Sequence, residues 1–108
     1  MVDNRLDTLF LALSDPTRRG MLADLKGGEK TVGELAAPHR MSLAGASKHL
    51  GVLTRAGLVE QRKAGRQRLC RLKGERLREA SDWLLQWEDF WNGRLDALET
   101  ALREMGDG

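Results

Sequence analysis

The chain has 108 residues, enough for one domain with a single hydrophobic core but too few for two domains with a core each. Hydrophobic residues make up 41% of the sequence and charged residues 31%, and no apolar run approaches the roughly 18 residues of a membrane span. The first ten residues lack the basic segment and long apolar stretch of a secretory signal. We therefore expect residues 1–108 to form one soluble, cytoplasmic domain.

The first two predicted helices are short. The first has an apolar face made of residues at helical spacing, Leu6, Leu9, Phe10 and Leu13. A second helix is predicted to begin at residues 14–16, because Ser-Asp-Pro combines a capping side chain with a proline suited to the first turn. The glycine pair at residues 27–28 is predicted to end it.

The next two predicted helices form a helix-turn-helix. Thr31 and Glu34 match a capping box at the start of the third helix, which Pro38 ends. Ser42 can cap a fourth helix over about residues 43–56. Because only a few residues separate these two helices, the pattern is typical of a helix-turn-helix.

The pattern changes after Gly57, a residue suited to a left-handed helix end. Residues 58–63 and 66–72 predict two short strands around a turn at Gly65, and this hairpin would be a wing. From about Gly74 one long helix is predicted to run to Met105. The predicted fold class is therefore mainly α with a small β-hairpin, a winged helix-turn-helix of five helices and a two-stranded wing.

Charge is distributed unevenly, although the formal net charge is only +2. Residues 61–78 contain eight Lys and Arg residues against one Asp or Glu, whereas residues 79–108 contain two against eight. A basic segment beside an acidic one indicates that one surface meets a polyanion and another is kept away from it.

The fourth helix and the basic hairpin are predicted to bind duplex DNA. Small and polar residues on this helix let its backbone approach the major groove, where Ser, Lys and His can donate to phosphates or base edges. The hairpin can neutralise phosphates beside that groove. A merely solvated helix face and a strand charged to prevent aggregation are the alternatives. The predicted contacts are Ser42, Ala44, Gly45, Ser47, Lys48, His49, Arg55, Arg62, Lys63, Arg66 and Arg68, with Arg18 as a further candidate for the DNA backbone.

The last helix is predicted to form a homodimer interface with the first. A chain of this length cannot cover so long an apolar helix with four short ones, and pairing across a two-fold axis would bury both helices. The predicted interface residues are Leu6, Leu9, Phe10, Leu13, Leu84, Trp87, Trp91, Leu95 and Leu98. Two alternatives remain open: the aromatic residues could line a pocket for an unknown small organic effector, or the long helix could bind another protein.

The reactive residues favour neither catalysis nor metal binding. His39, His49 and Cys70 fall on three different elements, whereas a transition-metal site needs three or four converging ligands. Cys70 shares a strand face with Leu72, which predicts a small buried core residue. Neither a glycine-rich phosphate loop nor a partner for a nucleophilic cysteine can be identified. We therefore predict no enzyme activity, no cofactor and no metal.

An ordered set of segments resembles the ArsR family of winged-helix repressors. The segments are residues 14–19 (SDPTRR), 47–50 (SKHL), 56–59 (AGLV) and the dipeptide Gly65-Arg66. The last segment looks like the subgroup whose final helix is rich in tryptophan. The resemblance implies a homodimer on an inverted-repeat operator, usually near its own promoter. The chain departs from the metal-sensing members, since residues 33–38 contain no cysteine and the last helix contains no histidine.

Overall fold

Short helices and a small sheet alternate along the chain, of which the computed structural model describes residues 4–106. The ends of the predicted domain, residues 1–3 and 107–108, lie outside the described range. The elements in chain order are α1 (Asn4–Leu13), α2 (Pro16–Leu25), β1 (Lys30–Thr31), α3 (Val32–Ala36), a 3-10 turn (Ala37–His39), α4 (Leu43–Arg55), β2 (Val59–Ala64), β3 (Gln67–Leu72), α5 (Glu75–Leu85) and α6 (Glu88–Gly106). The predicted fold class, a mainly helical winged helix-turn-helix, is confirmed.

Local side-chain chemistry begins and ends these elements as the sequence predicts. Asp15 caps α2 by accepting a hydrogen bond from the backbone N–H of Arg18 at 3.0 Å. Thr31 and Glu34 form the predicted capping box of α3. Gly57 follows the C-terminal end of α4 and has a φ of +77°, a left-handed conformation that favours glycine.

Two features of the fold differ from the expectation. The last helical segment is two helices, because α5 ends at Leu85 and α6 begins at Glu88. Glu88 and Asp89 stand in the first turn of α6, where negative charge stabilises a helix start. The wing belongs to a three-stranded antiparallel sheet in the order β1-β3-β2, since Lys30 pairs with Cys70. A two-residue strand is too short to show an alternating pattern in the sequence.

The core lies between helices α1–α4 and one face of the sheet. Its largest fully buried side chains are Leu9, Met21, Leu35, Leu50, Leu53, Leu58, Val59 and Cys70. Burial of Cys70 confirms its predicted role in the core, and desolvation raises the pKa of its thiol.

Helix α6 projects from this core and has no buried residue. The Cα radius of gyration is 19.7 Å, whereas a compact chain of this length has a value of about 13 Å. The principal extents of 72 × 36 × 21 Å show the same elongation. One subunit therefore leaves the apolar face of α6 in solvent.

Candidate nucleic-acid interface

The turn between α3 and α4 sets the direction of α4. Arg40 adopts a left-handed conformation with φ +53°, and its backbone N–H donates to the carbonyl of Ala37 at 3.1 Å. The next N–H, that of Met41, donates to the carbonyl of Ala36 at 3.2 Å. Ser42 then caps α4 by accepting from the N–H of Gly45 at 3.0 Å. These bonds hold the two helices in a tight helix-turn-helix.

One side of α4 is buried, and the opposite side combines small residues with two cations. Ala46, Leu50 and Leu53 pack into the core. We call the opposite side the α4 stripe, which consists of Ala44, Ser47, Lys48, Gly51 and Arg55. Small residues here allow close approach of the helix backbone, and Lys48 and Ser47 supply donors. Gly51 was not among the predicted residues, although its spacing from Ala44 and Lys48 places it on this stripe.

The hairpin presents different chemistry on its two faces. Lys63 lies directly opposite Arg68 on the face that also carries Cys70, and neither cation forms an ion pair with a residue in the range 4–106. Directly opposed like charges destabilise a strand pair. On the other face Arg62 is paired with Glu29 at a nitrogen–oxygen distance of 2.9 Å. Lys63 and Arg68 are therefore better placed than Arg62 to bind an external anion.

The other face also carries a second ion pair. Arg71 donates a hydrogen bond to Glu60, its neighbour across the strands. This bond holds the pKa of Glu60 below its ordinary value and raises that of Arg71. The charges on this face therefore neutralise each other in part.

A groove joins the hairpin to the helix-turn-helix. Its volume is about 350 Å³, and its walls are the start of α3, the first turns of α4 and the start of β3. The lining residues are Thr31, Val32, Gly33, Leu43, Ser47, Arg66, Gln67 and Arg68. One predicted helix donor, Ser47, and two predicted hairpin cations, Arg66 and Arg68, thus border one concave surface. Leu43, which sequence reasoning missed, is 62% exposed beside it.

Four other predicted contacts do not line this groove. His49 and Gly45 face away from the α4 stripe, and the Nδ1 atom of His49 is 3.2 Å from the Arg18 guanidinium. Arg18 itself donates to the carbonyls of Leu11 and Ala12 and so caps the end of α1 instead of reaching outward. Arg55 lies at the far end of the stripe, where it borders a separate small groove with Arg76.

The tryptophans and the apolar side of α6 form a second exposed surface. Phe10 and Trp83 meet edge-to-face, with their ring centroids 5.6 Å apart. Ring contacts continue from Trp83 through Trp87 and Phe90 to Trp91. The predicted interface residues Leu84, Trp87, Trp91, Leu95 and Leu98 are 45–60% exposed. We call the row Trp91, Leu95, Leu98, Leu102 and Met105 the α6 seam, since it alternates spacings of four and three, as in paired helices.

The predicted interface residues of α1 are more buried than those of α6. Leu6 and Leu13 are partly covered by the core. The prediction for Leu9 is wrong, because its side chain is completely buried within the single chain and leaves no surface for a partner.

Residues 4–106 hold neither a cluster of metal ligands nor a helix that could span a membrane. No three His, Cys, Asp or Glu side chains in this range come close enough to hold a metal ion. The helices in the same range are too short or too polar to cross a membrane.

Known proteins of similar sequence are transcriptional regulators. Residues 13–62 match a helix-turn-helix domain family. The chain is 33% identical to the transcriptional repressor SdpR of Bacillus subtilis over 82 residues, which cover 76% of this chain and 91% of the relative. It is 35% identical to the HTH-type transcriptional regulator Rv2034 of Mycobacterium tuberculosis over 101 residues, which cover 94% and 92%. These relatives agree with the prediction that the chain is not an enzyme.

Solved structures show the same fold. An ArsR family transcriptional regulator, RHA00566, matches with a TM-score of 0.78 and 36% identity over 85% of this chain and 95% of the other. The homodimeric winged helix-turn-helix DNA-binding domain Mb0332 of Mycobacterium bovis matches with a TM-score of 0.64 and 30% identity over 79% and 82%. The chain therefore belongs to the ArsR family of winged helix-turn-helix transcriptional regulators.

Proposed function

We propose that the chain is a homodimeric repressor that binds an inverted-repeat operator, with its own promoter as the first candidate. The observation that carries this proposal is the groove in which Ser47 of α4 faces Arg66 and Arg68 of the hairpin. A groove of this kind lets one segment read base edges while the other binds the flanking phosphates. The similarity to a transcriptional repressor supports repression as the outcome of binding.

Each part of the site has a separate role in this mechanism. Ser47 and Lys48 donate to base edges or phosphates in the major groove, and the small residues Ala44 and Gly51 permit close approach. Lys63, Arg66 and Arg68 neutralise phosphates and release counterions, so that affinity falls with salt. Occupation of a promoter would then exclude the transcription machinery.

The α6 seam supports the homodimer. In one subunit its five apolar side chains are all at least half exposed, and a two-fold partner would cover them. The homodimeric structure of Mb0332 supports the same assembly. Two subunits joined in this way would present their α4 helices about 34 Å apart, one turn of DNA, to a palindromic site.

An effector site beside the tryptophans is the second candidate role for this region. An open cleft of about 480 Å³ is lined by Trp83, Leu84, Trp87, Glu88, Phe90 and Trp91. Replacement of Trp87 by Ala distinguishes the two roles: weaker dimerisation in analytical ultracentrifugation supports the interface, whereas an unchanged dimer supports a pocket.

Binding to the DNA upstream of the chain's own coding sequence tests the proposal. We expect the dimer to bind this duplex at least about 1,000-fold more tightly than random duplex of equal length, with a steep dependence on salt. Lys48→Ala should weaken binding to the upstream duplex more than binding to random duplex. Equal and weak binding of the wild type to the upstream duplex and to random duplex would contradict the proposed function.

The assignment as a regulator that does not respond to metal has its own test. We expect Zn²⁺ or a chelator to leave the DNA affinity unchanged, and a metal-dependent affinity would contradict this assignment.

A further inference from the structure

Arg18 connects three helices through one side chain. It lies on α2, and its Nε and Nη2 atoms donate to the carbonyls of Ala12 and Leu11 at the end of α1, at 2.8 and 2.9 Å. Its Nη1 atom lies 3.2 Å from Nδ1 of His49 on α4. The guanidinium therefore links α1 directly to the helix that carries the proposed DNA contacts.

This geometry fixes the proton position on His49. A guanidinium can only donate, so in the neutral His49 ring the Nδ1 atom accepts and the ring proton lies on Nε2. Asp15 is the other charged group that faces this nitrogen, but at 3.9 Å its oxygen is beyond hydrogen-bond distance. The His49 and Asp15 side chains are 22% and 31% exposed, so the Arg18 contact lies partly within the protein.

The contact between Arg18 and His49 lies where it can affect the orientation of the α4 stripe. His49 follows Lys48 directly and points toward α2, so the contact restrains rotation of α4 about its own axis. On the other end of the link, α1 carries Phe10, which packs against Trp83 in the proposed dimer region. A continuous set of contacts thus runs from the aromatic surface through α1 and Arg18 to α4.

On this basis, and resting on the proposed DNA-binding function, we propose that Arg18 is a positioning residue that couples the dimer surface to sequence recognition. Arg18 does not touch DNA in this assignment. It fixes the tautomer of His49 and the rotation of α4, so that Ser47 and Lys48 meet the base edges correctly. Contacts of the hairpin with phosphates do not depend on it.

The test compares Arg18→Gln with Arg19→Gln as the matched control. Arg19 is the adjacent residue, and its guanidinium also caps α1, through the carbonyl of Leu13 at 2.7 Å, but it does not contact His49. The probes are a duplex that the wild-type dimer selects from a random-sequence library and a random duplex of the same length. Dimerisation and urea unfolding are measured for each variant, so that binding is compared between folded dimers.

We expect Arg18→Gln to weaken binding to the selected duplex by at least about fivefold, the lower end of typical coupling effects, and to change random-duplex binding by less than about twofold. Arg19→Gln should change neither affinity. In a double-mutant cycle, Arg18→Gln should cause no further loss of affinity for the selected duplex once His49 has been replaced by Ala. Nitrogen-15 NMR of the free dimer should show the proton of neutral His49 on Nε2 in the wild type and in Arg19→Gln, and a larger fraction of the Nδ1-protonated tautomer in Arg18→Gln.

The outcomes separate this inference from the function on which it rests. If the wild type selects a duplex but Arg18→Gln binds it unchanged, or if the losses of the cycle are additive, the coupling role is wrong and the DNA-binding function stands. The coupling role is also wrong if His49 of the wild type is a mixture of the two neutral tautomers. If the wild type selects no sequence, the proposed function fails and this inference fails with it.

Discussion

At the scale of single residues, the hairpin cations differ in whether an acidic side chain already pairs with them. Arg62 is ion-paired with Glu29, whereas Lys63 and Arg68 oppose one another without an acidic partner among residues 4–106. A cation already paired with a carboxylate must break that ion pair before it can neutralise a phosphate, and only neutralised phosphates release counterions. The sequence predicted all three as phosphate contacts, because charge density in a segment does not reveal ion pairs across strands.

Arg68→Ala should therefore reduce the dependence of DNA affinity on salt more than Arg62→Ala does. Because each phosphate contact contributes about one unit to the slope of log affinity against log salt, we expect Arg68→Ala to lower its magnitude by about 1. Fluorescence anisotropy across a salt series measures this slope. Equal slopes for the two variants would show that the Glu29 ion pair does not persist in the complex.

Asp15 gives the stability a defined dependence on pH. The backbone N–H of Arg18, with smaller contributions from His49 and the Arg18 guanidinium, lowers the Asp15 pKa below its ordinary value of 3.8. A depressed folded-state pKa contributes stability that is present above pH 3.8 and is lost as pH falls through the folded value. We expect Asp15→Asn to lower the free energy of unfolding at pH 7 but to have little effect near pH 2. Urea unfolding at both pH values checks this, with Asp7→Asn as the control for loss of one negative charge.

At the scale of elements, predictions succeeded where one side chain acts on its own local backbone. The caps at Thr31 and Ser42 and the left-handed Gly57 need no distant partner, and each is as predicted. The break between α5 and α6 was missed because no proline or glycine marks it. Strand β1 was missed because its two residues become a strand only by pairing with β3.

Gly57 and Gly93 should respond oppositely to replacement by Ala. At Gly57, φ is +77° and a new Cβ would lie 3.1 Å from Cγ of Arg76, so Gly57→Ala should destabilise the protein by about 1–2 kcal/mol. Gly93 lies within α6 and a Cβ there would meet no atom within 4 Å, so Gly93→Ala should stabilise by about 0.5–1 kcal/mol. Urea unfolding measures both. A stabilised Gly57→Ala would show that the left-handed turn is not required.

At the scale of the whole molecule, local patterns predicted the order of the elements better than the packing that orients their side chains. The order of helix, turn, helix and basic hairpin follows from local patterns, and the structure joins the last two in one groove. The orientations of His49 and Arg18 depend on how α1, α2 and α4 pack, which no short pattern encodes. The burial of Leu9 follows in the same way from tertiary packing.

The α6 seam should determine assembly. Leu98→Glu places a charge in the seam and should convert the dimer to monomer, because burial of a leucine contributes about 1.5–3 kcal/mol per subunit. Thr100→Glu, on the opposite side of α6, is the matched control and should leave the dimer intact. Sedimentation velocity distinguishes the species. A dimeric Leu98→Glu would place the interface elsewhere.

Lys63 and Arg68 repel each other across the strands, and in the proposed complex a DNA phosphate would supply the counterion that they lack among residues 4–106. Salt should therefore act in opposite directions on the free protein and on the complex. Screening relieves the repulsion across the strands and weakens attraction to DNA. One salt titration should thus slow amide hydrogen exchange in β2 and β3 of the free protein while it lowers DNA affinity. DNA binding would thus stabilise the folded hairpin by relieving the repulsion between Lys63 and Arg68.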